Sequence, residues 1–245
     1  MFSFFSKKRE PLPLPIATDI HCHVIPGVDD GAPDAATAAD LIENMQRWGI
    51  RRIIASPHYT QGIFENNPET IEKAFRNLKY ALDSRGNDID ISYSGEYRID
   101  DLLQKRLEDG KYTLLPNKFM IIENSFLQEP WNIDRLVFDL QVRGIRPILA
   151  HPERYSYYYN KPQRYHKLHE AGLAFQVNVL SLAGNYGKAE QKVAESLIAE
   201  GLVDYLGTDI HRMSHINAID EYLRSKKAER HFHDLAGKLR NDTDF

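Results

Sequence analysis

Histidines and carboxylates recur along this 245-residue chain at one kind of position, the end of a short apolar run. The first run closes on Asp19-Ile20-His21-Cys22-His23, and Asp29 and Asp30 follow just before Gly31. Later runs close on His58, on Glu96, on Glu123, on His151 with Glu153 and Arg154 behind it, on Asn178, and on Asp209 with His211. Imidazole and carboxylate hold divalent ions such as zinc, manganese and iron. Residues two apart on an extended strand share a face, so His21 and His23 can grip one ion, and Asp209 and His211 repeat the geometry. A carboxylate can bridge two ions, and Glu96 is placed for it. Ions ~3.5–4 Å apart generate hydroxide and clamp a phosphoryl group for in-line attack. Nine candidate ligands (His21, His23, Asp30, His58, Glu96, Glu123, His151, Asp209 and His211) exceed the needs of one ion and suit two or three. Singly, each has an ordinary structural explanation: a chance pair, a turn residue, a capping acid. Either Asp29 or Asp30 could be the turn-forming acid before Gly31. Their coincidence carries the reading.

The elements that must position these residues alternate. The patterning predicts strands over 16–23, 52–56, 90–95, 118–122, 145–150, 173–177 and 203–207. It predicts helices over 34–48, 68–83, 100–108, 132–143, 163–171 and 188–200, and broken helical sequence over 215–239. Asp34 caps the first helix, and Gly49, Gly144, Gly172 and Gly201 stop others. Seven strand–helix units argue for a parallel sheet covered by helices, which an open doubly wound sheet and a closed barrel satisfy equally. In either, the working face lies at the C-terminal ends of the strands. Six of the seven predicted strand ends deliver a His, Asp or Glu to that face.

Arg154 follows His151 closely enough to grip phosphate oxygens in a bidentate fork, or to pair with a nearby acid. Tyr155, Tyr157, Tyr158 and Tyr159 come next, either lining a cleft for an aromatic phosphoester or packing as a loop. Cys22 points to the opposite strand face from the two histidines and reads as a small buried residue. The single cysteine excludes an intramolecular disulfide and heads no Cys-x5-Arg phosphatase loop; no phosphate-binding Gly-x-x-x-x-Gly-Lys-Ser/Thr run occurs. A net charge of -4 gives no support for non-specific nucleic-acid binding. No stretch reaches the ~20 apolar residues of a membrane span. Residues 1–15 read as a tail ahead of one domain over 16–245, with a weak interfacial anchor through Phe2, Phe4 and Phe5 as the alternative.

Together the motifs resemble the polymerase-and-histidinol-phosphatase (PHP) superfamily, and within it the bacterial capsule-type protein-tyrosine phosphatases. The resemblance rests on Asp19–His23, Gly27–Gly31, Ser56-Pro57-His58, Gly95-Glu96, Ile122-Glu123, Ala150–Tyr155, Gln176–Asn178 and Thr208–His211, and covers about residues 16–240. It implies a distorted (β/α)7 barrel and two or three divalent ions, manganese first, with iron or zinc as alternatives. It implies the nine ligands named above, Arg154 as the phosphate-binding arginine, and Asp209 and His211 close to the chemistry. It further implies a cytoplasmic enzyme, with a peripheral place at the inner face of the membrane as the alternative, acting on phosphotyrosine in a membrane tyrosine autokinase that governs polysaccharide export. Some members carry a second arginine several residues beyond the Asp-x-His motif. Here Arg212 follows at once and His215 soon after, so Arg212, with Tyr155, is a candidate substrate contact. Rival expectations are a phosphoesterase for a small metabolite such as histidinol phosphate or a sugar phosphate, a non-catalytic metal-stabilised binding module, and amidohydrolase-like hydrolysis. The last would normally place a lysine where Glu96 stands.

Overall fold

The computed structural model describes residues 9–245. Seven parallel staves form a distorted barrel, and two of them are broken. The first stave is regular only over β1 (Thr18–Asp19) and then continues as extended chain through His23. The second is β2 (Arg52–Ala55) resuming as β3 (His58–Tyr59), and the third is β4 (Asp90–Tyr93) resuming as β5 (Glu96–Arg98). β6 (Phe119–Glu123), β7 (Arg146–Ala150), β8 (Ala174–Asn178) and β9 (Tyr205–Gly207) complete the set. The sheet order is β1-β2-β4 and β3-β5-β6-β7-β8-β9, and every pair is parallel.

Backbone hydrogen bonds carry the ladder across the breaks. Ser56 donates to Cys22 O (2.9 Å), Ser94 to Ala55 O (2.8 Å) and Glu96 to Pro57 O (3.0 Å). Pro57 has no N–H to give, which suits it to an interruption. The ring closes where Asp209 N donates to His21 O (2.8 Å) and His23 N to Ile210 O (2.9 Å). A closed barrel is therefore the architecture, of the two that alternation alone permits.

Helices cover the outside. α1 (Ala35–Arg47) and α3 (Asp101–Asp109) begin on Asp34 and Asp100, whose carboxylates accept from Thr37 N and Leu103 N. α2 (Pro68–Ser84), α4 (Ile133–Val142), α5 (Pro162–Glu170), the short α6 (Val179–Leu182) and α7 (Lys188–Ala199) follow. The expected break in the last helical stretch falls at Arg224-Ser225, between α8 (Met213–Leu223) and α9 (Lys226–Leu235), and Ser225 caps the second piece. The larger apolar core lies between staves and helices and includes Cys22; a smaller one, with Phe119, Ile121, Ile148, Ala150 and Tyr205, fills the barrel below the site.

The C-terminal segment plugs the far mouth of the barrel. In α10 (Asn241–Asp244), Asn241 pairs with both backbone groups of Leu206 and donates to Thr18 O, while Asp242 accepts from Thr18 N at 2.7 Å. Of the stretch expected as a tail, residues 9–15 lie against the domain: Leu12 N donates to Leu223 O, Leu14 N to Trp48 O, and Leu14 is buried. The anchor residues Phe2, Phe4 and Phe5 lie outside the described residues. No helix among the described residues is long and apolar enough to cross a membrane.

Candidate metal centre

Strand register delivers the site. Pairing of β3 with β5 sets His58 beside Glu96, and pairing of β5 with β6 sets Arg98 beside Glu123. Closure of the ring brings Asp209 onto the first stave, beside His21 and His23. His21 Nε2 then lies 3.4 Å from Glu96 Oε2 and 3.7 Å from Asp209 Oδ1; His23 Nε2 lies 3.6 and 3.4 Å from the same two oxygens. His151 Nε2 is 3.1 Å from Glu96 Oε1 and 3.7 Å from Glu123 Oε1, and His58 Nδ1 is 2.8 Å from Glu96 Oε2. On the outer side, Asp30 Oδ1 stands 3.6 Å from His58 Nε2 and 3.5 Å from His211 Nε2. Three groupings have ligand atoms close enough for a metal ion: His21, His23 and Glu96; His58, Glu96 and Glu123; and His23, His58 and His211.

The donor atoms fit such ions. Nε2 of His21 and His23, Nδ1 of His58, and Oε2 of Glu96 and Glu123 are buried without a hydrogen bond, the short approaches of His58 to Glu96 (2.8 Å) and of Arg98 to Glu123 (3.0 Å) being misaligned for one. Buried polar atoms normally find partners, so a converging set of donor atoms without hydrogen bonds fits a divalent cation. The charges point the same way. Burial opposes charge on His21 and His58, yet Glu96 beside them prevails and lifts them to about 9 and about 10. Burial, with Glu96 nearby, pushes Glu123 up to about 7. Burial, with Arg154 close, pushes His151 down to about 4. Protons thus balance a carboxylate cluster that divalent ions would otherwise balance.

The surrounding residues fix these side chains. Asp29 Oδ2 meets His23 Nδ1 at 2.8 Å and accepts from His58 N, and Oδ1 accepts from Gly31 N. The choice between the two acids thereby resolves by position: Asp29 is buried behind His23, and Asp30 faces the cleft. A Cβ on Gly31 would come within 2.2 Å of His23 O, so only glycine lets this loop fold back. On β8, Gln176 and Asn178 link His21 to Asp209: Gln176 Oε1 meets His21 Nδ1, Gln176 Nε2 donates to Asn178 Oδ1 (2.8 Å), and Asn178 Nδ2 donates to Asp209 Oδ2 (2.6 Å). His151 (φ 34°) and Asp209 (φ 52°) adopt left-handed backbone. Strain of that kind in non-glycine residues persists where the surroundings over-determine it, characteristically at functional sites.

The centre opens into a cavity of about 230 Å³ whose rim carries Arg98, Arg154 and Arg212. Arg154 donates to Asp209 Oδ2 at 3.2 Å, and its guanidinium lies 4.0 Å from the centre of the Tyr186 ring and 4.8 Å from that of Phe126. Both suggested partners of Arg154 are thus present, the acid and the open cavity. Arg212 is exposed at the mouth and has no ion pair among the described residues.

Tyr155 requires correction. It is wholly buried, donating its hydroxyl to Ala150 O and accepting from Asn124 N, so it braces the loop and offers nothing to a substrate. Tyr158 is buried too, and Tyr157 and Tyr159 bond to Ser125 O and Glu190; the tyrosine cluster is a packed loop. The aromatic walls of the cavity are instead Phe64, Phe126 and Tyr186, which the sequence reading missed, together with Arg98. Arg98 was findable: it lies two past Glu96 on one strand face, as His23 does after His21. Tyr186 sits in a loop without periodicity, and nothing local marks it.

Residues 17–238 match the CpsB/CapC family, described as capsular polysaccharide synthesis. The tyrosine-protein phosphatase YwqE of Bacillus subtilis (strain 168) is 33% identical over 200 residues, covering 80% of this chain and 77% of that protein. The tyrosine-protein phosphatase CpsB of Streptococcus agalactiae serotype V is 32% identical over 202 residues, covering 80% and 83%. A solved structure from work on YwqE of Bacillus subtilis and CpsB of Streptococcus pneumoniae, described as unique metal-dependent tyrosine phosphatases, superposes with a TM-score of 0.78 at 30% identity, over 93% of this chain and 96% of that one. An amidohydrolase from Mycoplasma synoviae shares the fold alone, at TM-score 0.56 and 12% identity, over 92% and 89%. By the family match over residues 17–238 and by these relatives, the chain belongs to the CpsB/CapC family.

Proposed function

We propose that this protein is a metal-dependent phosphohydrolase that removes phosphate from tyrosine in proteins. The observation that carries the reading is the convergence of buried imidazole and carboxylate atoms without hydrogen bonds beneath a cavity rimmed by arginines and walled by aromatic rings. In this reading His21, His23, Glu96 and Asp209 would hold one ion, His58, Glu96, Glu123 and His151 a second, and Asp30 and His211, with His58 or His23, a third. Manganese is the ion proposed first, with iron or zinc as alternatives. When bound, such ions supply Lewis acidity toward the phosphoryl oxygens and lower the pKa of an attacking water.

The chain's own groups do the rest. Phe64, Phe126 and Tyr186 receive the phenyl ring and keep water from its flanks. Arg154, stacked between Phe126 and Tyr186, is held ready to donate to phosphoryl oxygens where charge grows during in-line displacement. Arg98 and Arg212 add positive potential at the rim. Asp29 and the Gln176–Asn178 pair hold His23, His21 and Asp209 in place. The phenolate leaving group is stable enough that no dedicated general acid need be assigned. The phosphotyrosine is proposed to lie on a membrane tyrosine autokinase of capsule export, reached from the cytoplasmic face. The capsular and phosphatase names of the relatives support that assignment.

The test is turnover by manganese-reconstituted protein on a phosphotyrosine peptide beside histidinol phosphate, with Asp209→Ala as control. Preference for the peptide, abolished in the variant, is expected. Preference for histidinol phosphate would transfer the site to small metabolites, and no turnover of either would leave a binding module.

A further inference from the structure

The loop between β6 and α4 has two sides. Phe126 turns into the catalytic cavity, whereas Leu127, Pro130 and Trp131 line a second hollow of about 640 Å³. The neighbouring stave divides the same way: Arg98 faces the cavity, and Ile99, Asp100 and Asp101 face the hollow. Cavity and hollow therefore share one wall, built from two pairs of consecutive residues. Leu127 and Trp131 are 92% and 95% exposed, the most exposed large apolar residues among those described. Apolar side chains this open, set beside a site, mark a surface that something covers.

Charge says what covers it. The cavity rim carries Arg98, Arg154 and Arg212, and the hollow carries Asp100 and Asp101 with no basic residue in its lining. The Asp100 carboxylate is committed to Leu103 N and Gln61 N, both at 2.9 Å, but Asp101 has no ion pair among the described residues. The rim thus offers guanidinium groups that suit a phosphoryl group, and across the shared wall the Asp101 carboxylate suits a cation.

We infer that this hollow is a docking subsite for the polypeptide next to the phosphotyrosine, taking a bulky apolar side chain against Leu127 and Trp131 and a lysine or arginine against Asp101. The inference rests on the phosphatase reading and adds to it a sequence preference around the phosphotyrosine. Substrates are then selected by their flank as well as by the ring.

The experiment uses the manganese-reconstituted full chain and three phosphotyrosine peptides, flanked on both sides by Leu-Lys, by Ala-Ala or by Leu-Glu. p-Nitrophenyl phosphate, too small to reach the hollow, is the reference, and kcat/KM for each peptide is divided by its value. The Leu-Lys peptide should lead Ala-Ala by about tenfold, the scale of one well-seated anchor residue. Trp131→Ala should erase that lead, and Asp101→Lys should shift preference toward Leu-Glu. Equal ratios for all peptides in a protein that hydrolyses the reference would overturn the inference and spare the phosphatase reading. So would a preference that neither substitution changes. Equal ratios combined with a dimer, split by Trp131→Ala in sedimentation, would assign the surface to a second copy. Failure on every substrate, the reference included, would strike the phosphatase reading and this inference with it.

Discussion

Replacing Gln176 tests the centre without relying on turnover. Asp209 anchors the relay: its carboxylate stays ionised, held well below the usual range despite burial by His23, His211 and their neighbours. A carboxylate only accepts, so Asn178 must present its NH2 to Asp209 and its carbonyl to Gln176. Gln176 must then present its own NH2 to Asn178 and its carbonyl to His21. His21 Nδ1 is left as the donor, and Nε2 alone faces Glu96 and Asp209 as a ligand atom. Gln176→Glu puts an acceptor against the Asn178 carbonyl and breaks the chain of donors at its centre. Gln176, Asn178 and His21 are all fully buried, so no water takes over. A buried polar group left unpaired costs ~1–3 kcal/mol. Outer residues of metal sites typically change affinity by about 10–100-fold when altered. The expected result is a manganese dissociation constant raised by about that factor in a titration of the chelated protein, with thermal unfolding measured alongside to detect loss of fold. Gln176→Leu, which leaves His21 Nδ1 bare but adds no repulsion, should fall between. Wild-type affinity in a well-folded Gln176→Glu protein would refute the relay.

Arg154→Ala should lower kcat on phosphotyrosine peptides by about 100–1000-fold, the usual loss for one preorganised oxyanion donor. Metal content should stay intact, and Arg154→Lys should recover only part of the rate because an ammonium cannot fork; full activity in the alanine variant would remove the role. Metal affinity should strengthen from pH 6 toward 9, since an ion must displace the protons on His21 and His58; about one decade per pH unit is expected per proton released, and a flat profile would count against these ligands. The same raised histidines should stabilise the chelated protein below the ordinary 6.5 and cease to do so as pH passes about 9 to 10, read as a falling unfolding temperature. Gly31→Ala should destabilise the fold by about 1–3 kcal/mol, because the Cβ would collide with His23 O and displace Asp29 from His23.

Much of the site was legible because it sits at strand ends. In a parallel β/α fold those ends meet on one face whether or not the barrel closes, so His21, His58, Glu96, Glu123, His151 and Asp209 could be gathered from one line of sequence. Helix starts were equally local: Asp34 and Asp100 bond to amides three residues on. Closure was not local. It depends on Asp209 N meeting His21 O, two groups far apart in sequence, and no periodicity encodes such a meeting. Nor does a tyrosine's place in a pattern say where its hydroxyl goes. Tyr155 reads like a cleft residue and is spent on Ala150 O, while Tyr186, unmarked in its loop, lies under Arg154 and bonds to Asp209. Residue types at strand ends determined which chemistry the chain can perform. Tertiary contact decided which acid faces the cleft, which rings wall it, and which amides hold the ligands, because those choices turn on side-chain directions that only packing sets.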